Sequence, residues 1–296
     1  MNFEKTLPRS MVHHYIALTK PTIVLTFALT GAAAMVMEGS LSANPLKFFL
    51  VLLAITLTAA SANGFNQYFE RDIDSRMERT RLKRPLPLKN IEPRNALFFS
   101  IVLGVLAIGY LFMSVHIVSA LYALGTILFY SFFYTLWLKP RTHYNIVIGG
   151  AAGATAPLIG WSAAAGDTAL APWLLFLIIF LWTPPHFWAL ALCVKDQYAK
   201  VGLPMLPVVK GEKRTLKEIG WYSVALVASS FFPFFFKISG LVYFFGSLFL
   251  GIFFIFYTWR LMREKTEKAA YRLFGYSIIY LILLFVFIMI DVYKAH

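Results

Sequence analysis

Nine long apolar stretches divide this chain, and they leave it little choice of fold. They run over about 15–37, 44–68, 95–114, 117–137, 145–165, 169–194, 217–238, 240–260 and 271–293. Each has roughly the ~20 residues that a helix needs to cross ~30 Å of hydrocarbon. The loops between them are mostly short, and backbone facing lipid must satisfy its own hydrogen bonds. The sequence therefore predicts an all-α, polytopic membrane protein, a bundle of nine transmembrane helices forming one domain over 1–296. No stretch is left over for a soluble domain. The first stretch has some features of a signal peptide, since Lys5 and Arg9 precede it and Ala32-Ala33-Ala34 follow an apolar run. Its length and the Lys20-Pro21 interruption favour a retained helix instead.

The balance of residues agrees. The chain is 59% hydrophobic and 14% charged, against ~45–50% and ~25% in soluble domains. A net charge of +13 would suit a nucleic-acid partner, but membrane proteins gather basic residues in cytoplasmic loops for topological reasons. When successive loops are assigned to alternate sides, all of the 27 Lys and Arg residues but Lys47, Lys237 and Lys294 fall on one side. That asymmetry predicts a cytoplasmic N-terminus and an external C-terminus, with the bilayer as partner and no nucleic acid. The one cysteine, Cys193, excludes an intrachain disulfide, and the absence of C-x-x-C-H excludes covalent c-type haem attachment. Cys193 is expected to be inert within a helix.

Acidic residues are few, and two groups of them stand where spans return to the cytoplasm. The first is Asn66-Gln-Tyr-Phe-Glu70-Arg-Asp-Ile-Asp74 and the second Asp196-Gln-Tyr-Ala-Lys200. Asn66, Glu70 and Asp74 recur every fourth residue, so on a helix they form one stripe, with Asp72 pointing away toward Arg71 or Arg76. A stripe of oxygen ligands suits Mg²⁺, which binds through one or two carboxylates plus substrate phosphates. The same spacing also describes a solvated helix end with i, i+4 charge pairs. Arg71, Arg76, Arg79, Arg81, Lys83 and Arg84 follow at once, and Lys139 and Arg141 join them on the same side. These cations suit a diphosphate as well as the positive-inside rule. The second motif comes four helices after the first in the same orientation, which suggests a parallel internal repeat of helices 1–4 and 5–8.

NQYFERDIDSRMERTRLKRPL at 66–86, LKPRTHYNIVIGG at 138–150, PLIGW at 157–161, WTPPHFWALAL at 182–192 and GLPMLPVV at 202–209 make the chain recognisable. Over nearly its whole length it resembles the protoheme IX farnesyltransferase (heme O synthase) family, a branch of the intramembrane aromatic, UbiA-type, prenyltransferase superfamily. The resemblance implies transfer of farnesyl from farnesyl diphosphate to heme B, giving heme O and diphosphate. Heme B is then a substrate and Mg²⁺ the cofactor, and the setting is the plasma (inner) membrane of a bacterium. A heme A synthase or terminal-oxidase assembly would be the downstream partner. Asn66, Glu70, Asp74 and Asp196 are expected to hold metal, with Lys200 and His186 joining them in catalysis. Arg71, Arg79, Arg84, Lys139, Arg141, His143, Trp182 and Trp188 are expected to bind substrate. Glu70 departs from the family's usual aspartate, keeping the charge on a longer arm, and Asp196 and Lys200 stand where other branches carry two or more aspartates.

Farnesyl diphosphate reacts only when charge on its leaving diphosphate is stabilised, which favours fixed cations in a water-poor site. Trp182, Phe187 and Trp188 are candidates to shield the allylic cation, or simply to pack. His186 is placed ~15 Å deeper than Asp196, beside Pro184-Pro185. It suits haem orientation, iron ligation or proton handling, or a bond to a carbonyl that the prolines free. His13, His14, His116 and His296 lie near interfaces. Two other activities fit parts of this pattern. Prenylation of a hydroxybenzoate would keep the diphosphate site, and an ion-coupled transporter would place its acids near the midplane rather than at helix ends.

Overall fold

A computed structural model describes residues 10–295, with side chains through Asp291. Lys5, Arg9 and His296 lie outside the described residues. Among those described there are helices and no strand. They are α1 Met11–Thr19, α2 Pro21–Glu38, α3 Pro45–Arg76, α4 Glu78–Arg81, α5 Pro93–Ser114 and α6 Ile117–Leu128. α6 runs directly into a π-helical stretch, Phe129–Leu138. α7 Asn145–Gly153, α8 Ala156–Ala165, α9 Leu170–Cys193, α10 Lys195–Lys200 and α11 Leu206–Val209 follow. The chain closes with α12 Gly211–Ser229, α13 Phe232–Phe235, α14 Leu241–Glu264 and α15 Glu267–Ala295.

Eight of these segments are long and apolar enough to cross a membrane. The exception is the expected seventh span. α12 starts at Gly211, earlier than predicted, and its first turns carry Glu212, Lys213, Arg214, Lys217 and Glu218, so half of it is amphiphilic. The first stretch is also divided. Lys20 adopts a left-handed conformation (φ 57°) between α1 and α2, and Pro21 opens the crossing helix. Proline suits a helix's first turn because no partner exists there for its missing N–H.

Helices in lipid gain little from apolar contact with one another, so close backbone approach matters more. α3 and α5 meet through reciprocal small residues. A Cβ on Gly64 would fall 2.2 Å from Ser100 Oγ, and one on Gly104 would fall 2.8 Å from Ser61 Oγ. Ser61 Oγ also donates to the Ser100 carbonyl at 2.7 Å. α2 crosses α8 still more tightly, where a Cβ on Gly160 would stand 2.3 Å from the Gly31 carbonyl oxygen. Two apolar cores result. One joins α2, α3, α5, α6 and α8 around Met35, Ile55, Leu111 and Ile159. The other joins α9, α12, α14 and α15 around Ile178, Ile219, Phe254 and Phe285. Large side chains such as Phe98, Phe112, Phe245 and Phe249 stay on the outside, as a lipid-facing surface requires.

Helix ends at one side of the bundle are polar in a way that the other side is not. At the far side, Asp291 accepts from the amides of Gly240 and Val242, capping the start of α14. Its burial is thereby explained as structural. At the near side stand the ends of α3 and the π stretch and the start of α2. α3 contains 32 residues, roughly 48 Å of helix at ~1.5 Å per residue, so its last turns carry the acidic stripe past the hydrocarbon without leaving the helix.

Candidate active site

The stripe is buried. Asn66, Glu70 and Asp74 are 1%, 4% and 2% exposed, which removes the solvated-helix-end reading, while Asp72 faces solvent as the spacing predicts. Each member of the stripe meets a cation from a different part of the chain. Lys20 Nζ donates to Asn66 Oδ1 at 2.5 Å. Lys139 forms an ion pair and hydrogen bond with Glu70. Arg84 pairs with Asp74 and reaches Glu70 at 3.6 Å. Charges this enclosed are tolerated only when paired and hydrogen-bonded. Here three basic side chains surround two carboxylates and one amide.

Local structure explains how the cations arrive. The left-handed turn at Lys20 breaks the first helix at its foot, and a non-glycine residue in that region is an uncommon, strained conformation of the kind that gathers at functional sites. Burial depresses the Lys20 ammonium well below the usual lysine pKa, and Arg84 adds to the effect while Glu70 opposes it. Arg84 shows the reverse balance. Burial works against its charge, but Asp74 and Glu70 outweigh it and hold its pKa above the ordinary value. Lys139 comes from the end of the π stretch, where its amide bonds the Tyr134 carbonyl at 2.8 Å, five residues back. Thr135 from the same stretch accepts from Asn66 Nδ2 at 3.0 Å. Tyr134 lies beneath Lys139, its ring centroid 5.9 Å from Nζ, and stacks on Tyr130. A Cβ on Gly149 would meet the Tyr134 ring at 2.3 Å, so only glycine leaves this ring its place.

Several expected residues stand elsewhere. Arg71 lies over the Tyr68 ring and donates to the Tyr68 carbonyl. Arg141 bonds the Leu136 and Trp137 carbonyls at the end of the π stretch. The Arg79 amide donates to Gln197 Oε1 at 2.9 Å, and its buried Nε has no partner. Asp196 is exposed, and Lys200 is exposed beside Glu78 at 4.0 Å. His186 is buried in the α9–α15 contact, with Nδ1 2.6 Å from Ser277 Oγ and its ring stacked between Trp182 and Phe274. Its partner is thus a hydroxyl on another helix and not a carbonyl freed by Pro184 and Pro185. Trp182 Nε1 donates to the Ser277 carbonyl. Cys193 is half-buried at the end of α9.

A second feature opens nearby. A cavity of about 460 Å³ is lined by His143, Tyr144, Trp188, Lys210, Arg214 and Tyr222 among others. Its neighbour on the chain is the cluster itself, because the loop that begins at Lys139 ends at His143 and Tyr144. Partial burial, with Lys210 nearby, lowers the His143 pKa.

Among the described residues no three His, Cys, Asp or Glu side chains gather as a metal site. Two carboxylates and an amide oxygen are nevertheless hard donors of the kind that Mg²⁺ takes when phosphates complete its shell. The residues present therefore fit that ion in chemistry, and the cations that now occupy them fit a diphosphate.

Comparison with known proteins agrees with this geometry. A protoheme IX farnesyltransferase from Picosynechococcus sp. is 45% identical over 286 residues, covering 95% of this chain and 89% of that one. Another from Symbiobacterium thermophilum is 42% identical over 288 residues, 96% of each. Among solved structures, a digeranylgeranylglyceryl phosphate synthase superposes with a TM-score of 0.78 at 22% identity, covering 96% of this chain and 99% of that one. A UbiA homolog from Archaeoglobus fulgidus, bound to DMAPP and Mg²⁺, superposes with a TM-score of 0.64 at 19% identity, covering 93% and 99%. The model of the UbiA prenyltransferase family matches residues 24–288. This chain, a multi-pass membrane enzyme, belongs to the UbiA prenyltransferase family.

Proposed function

We propose that this protein transfers the farnesyl group of farnesyl diphosphate to a vinyl group of protoheme (heme B), giving heme O and diphosphate. The observation that carries the reading is the 45% identity to a protoheme IX farnesyltransferase across 95% of the chain. The buried cluster supplies the chemistry. In the reaction the bond from farnesyl C1 to the diphosphate oxygen breaks, and its electron pair leaves with the diphosphate. The terminal vinyl carbon forms the new carbon–carbon bond. Water adds its oxygen at the carbon next to the ring and gives up a proton, leaving a hydroxyethylfarnesyl group.

Lys20, Arg84 and Lys139 bind and orient the diphosphate and stabilise the charge it takes on. Fixed cations at the edge of hydrocarbon do this far better than water, because they need no reorganisation. Asn66, Glu70 and Asp74 would hold Mg²⁺, which when bound offsets the same developing charge. Binding then transfers the three cations from protein oxygens to phosphate oxygens. We assign Asp196 and Lys200 to the solvent-side rim, in support of which Gln197 of the same short helix holds the Arg79 amide. The protein works in the plasma membrane of a bacterium, and its amphiphilic, membrane-bound product passes to another membrane protein, a heme A synthase or terminal-oxidase assembly.

Purified protein in detergent, given protoheme, farnesyl diphosphate and Mg²⁺, should yield haem heavier by one farnesyl group and one hydroxyl. EDTA should stop the reaction and Mg²⁺ restore it. Unchanged haem together with prenylation of a hydroxybenzoate would overturn the reading.

A further inference from the structure

The cavity beside the cluster has features that neither lipid packing nor helix topology requires. Its floor is Trp188, 1% exposed, whose Nε1 is buried and has no hydrogen-bond partner. An indole N–H almost always finds an acceptor when it is enclosed, because leaving it unpaired costs ~1–3 kcal/mol. The rim carries two cations, Lys210 and Arg214, against one carboxylate, Glu218. Lys210 stands just before α12, and Arg214 follows one turn later, partly engaged with Glu218 at 2.5 Å. Tyr222 meets Trp188 edge-on at 5.4 Å, and His143 lies against Tyr144 at 4.2 Å, so the walls are flat and aromatic. One buried unpaired donor, two rim cations and aromatic walls make a receptor for an anionic acceptor edge on a planar ring. At about 460 Å³ the cavity falls in the ~300–1,000 Å³ range of small-molecule sites.

We propose that this cavity grips the propionate edge of the porphyrin, with Lys210 and Arg214 pairing the carboxylates, Trp188 Nε1 donating to one of them, and Tyr222 and Tyr144 flanking the ring. The proposal rests on haem being the acceptor. It follows chemically, because the propionates lie on the edge of the porphyrin opposite the vinyl groups. Holding that edge leaves the vinyl side free for the farnesyl donor. It also gives the loop between Lys139 and Tyr144 a purpose, since one end clamps Glu70 while the other walls the cavity. The two substrates would thus be held at the two ends of one six-residue connection, so that each can report on the other's presence.

The test is equilibrium binding of protoheme and of its dimethyl ester, followed at the Soret band in detergent. The wild type should prefer protoheme to the ester by about tenfold or more. Lys210→Ala combined with Arg214→Ala should erase that preference, while binding of a non-hydrolysable farnesyl diphosphate analogue stays within twofold. Trp188→Phe, which keeps the ring and removes the donor, should weaken protoheme about threefold to tenfold and the ester less. An undiminished preference in the double variant would overturn the proposal while leaving haem as acceptor. Parallel loss of the diphosphate analogue would overturn it in favour of a phosphate site. A wild type that binds neither porphyrin would sink both the proposal and the assignment of haem.

Discussion

Glu70 offers the sharpest test of the cluster, because charge and reach can be varied separately. Its carboxylate is 4% exposed, pairs with Lys139 and stands 3.6 Å from Arg84. Glu70→Gln keeps the shape and removes the charge. Breaking a buried pair by removing one partner costs about 3–5 kcal/mol of stability, since the remaining cations lose their counter-charge. Loss of one stabilising group at a leaving charge lowers kcat roughly 10²–10³-fold. Glu70→Asp keeps the charge and withdraws it by about 1.5 Å, the length of a carbon–carbon bond. At an effective dielectric of ~20, attraction to Arg84 then falls from roughly 4.6 kcal/mol at 3.6 Å to roughly 3.3 kcal/mol. A difference of about 1.3 kcal/mol corresponds to at most tenfold. Steady-state turnover by purified variants, with thermal unfolding in the same detergent as a control for folding, checks both values. Glu70→Gln retaining activity within threefold of wild type, or Glu70→Asp failing as badly as Glu70→Gln, would refute the electrostatic argument.

Lys20→Met keeps the side-chain stem and removes the ammonium, so KM for farnesyl diphosphate should rise tenfold or more while haem binding holds. Neutralising Arg84 or Lys139 should weaken the diphosphate analogue in the same titration. Arg263 in the last turn of α14 and Lys265 just after it are exposed, and their replacement should change nothing. Reporters fused after His296 and within 76–92 should be active only outside and only inside the cytoplasm, respectively, and a cytoplasmic C-terminus would contradict the charge asymmetry. Gly149→Ala should displace Tyr134 and with it Lys139, lowering turnover while the protein still inserts. Normal turnover in that variant would mean that the ring does not position the lysine.

Much of this was legible in the sequence, for reasons that the structure makes concrete. Asn66, Glu70 and Asp74 fall on one face because α3 stays helical through Arg76, and four-residue spacing reads the same in any helix. Arg84 and Lys139 were legible as cations beside that stripe. Their partners were not, because a pairing across 69 residues, as for Lys139 and Glu70, or across a loop, as for Arg84 and Asp74, depends on packing. Lys20 was missed as a site residue, although a lysine just before proline at the foot of an apolar run was a usable signal. Among the expected spans, the start of α12 was the part that could not be read, because hydropathy averaged over 217–238 concealed a helix that starts six residues earlier among charges. Arg71 and Arg141 were grouped with the site by proximity in sequence, whereas each is committed to carbonyls of its own neighbourhood. Lys210 and Arg214 were counted only toward topology, since nothing in a linear pattern shows that they face Trp188.

The π-helical stretch from Phe129 to Leu138 carries one consequence of its own. Such a segment amounts to a single residue inserted into an α-helix, so the faces before and after it are out of phase by about 100°. The upper part of this span packs through Ser119, Ala120 and Ala123, while the lower part presents Thr135 and Lys139 to α3. Deleting one residue between Phe129 and Phe133 would let the helix wind regularly. The upper packing would survive, but Lys139 would rotate away from Glu70 and a hydrophobic side chain would face the carboxylate in its place. The register of one span, as much as the identity of any residue, is therefore an inherited part of the active site, and a family relative lacking that extra residue would need its cation one position away.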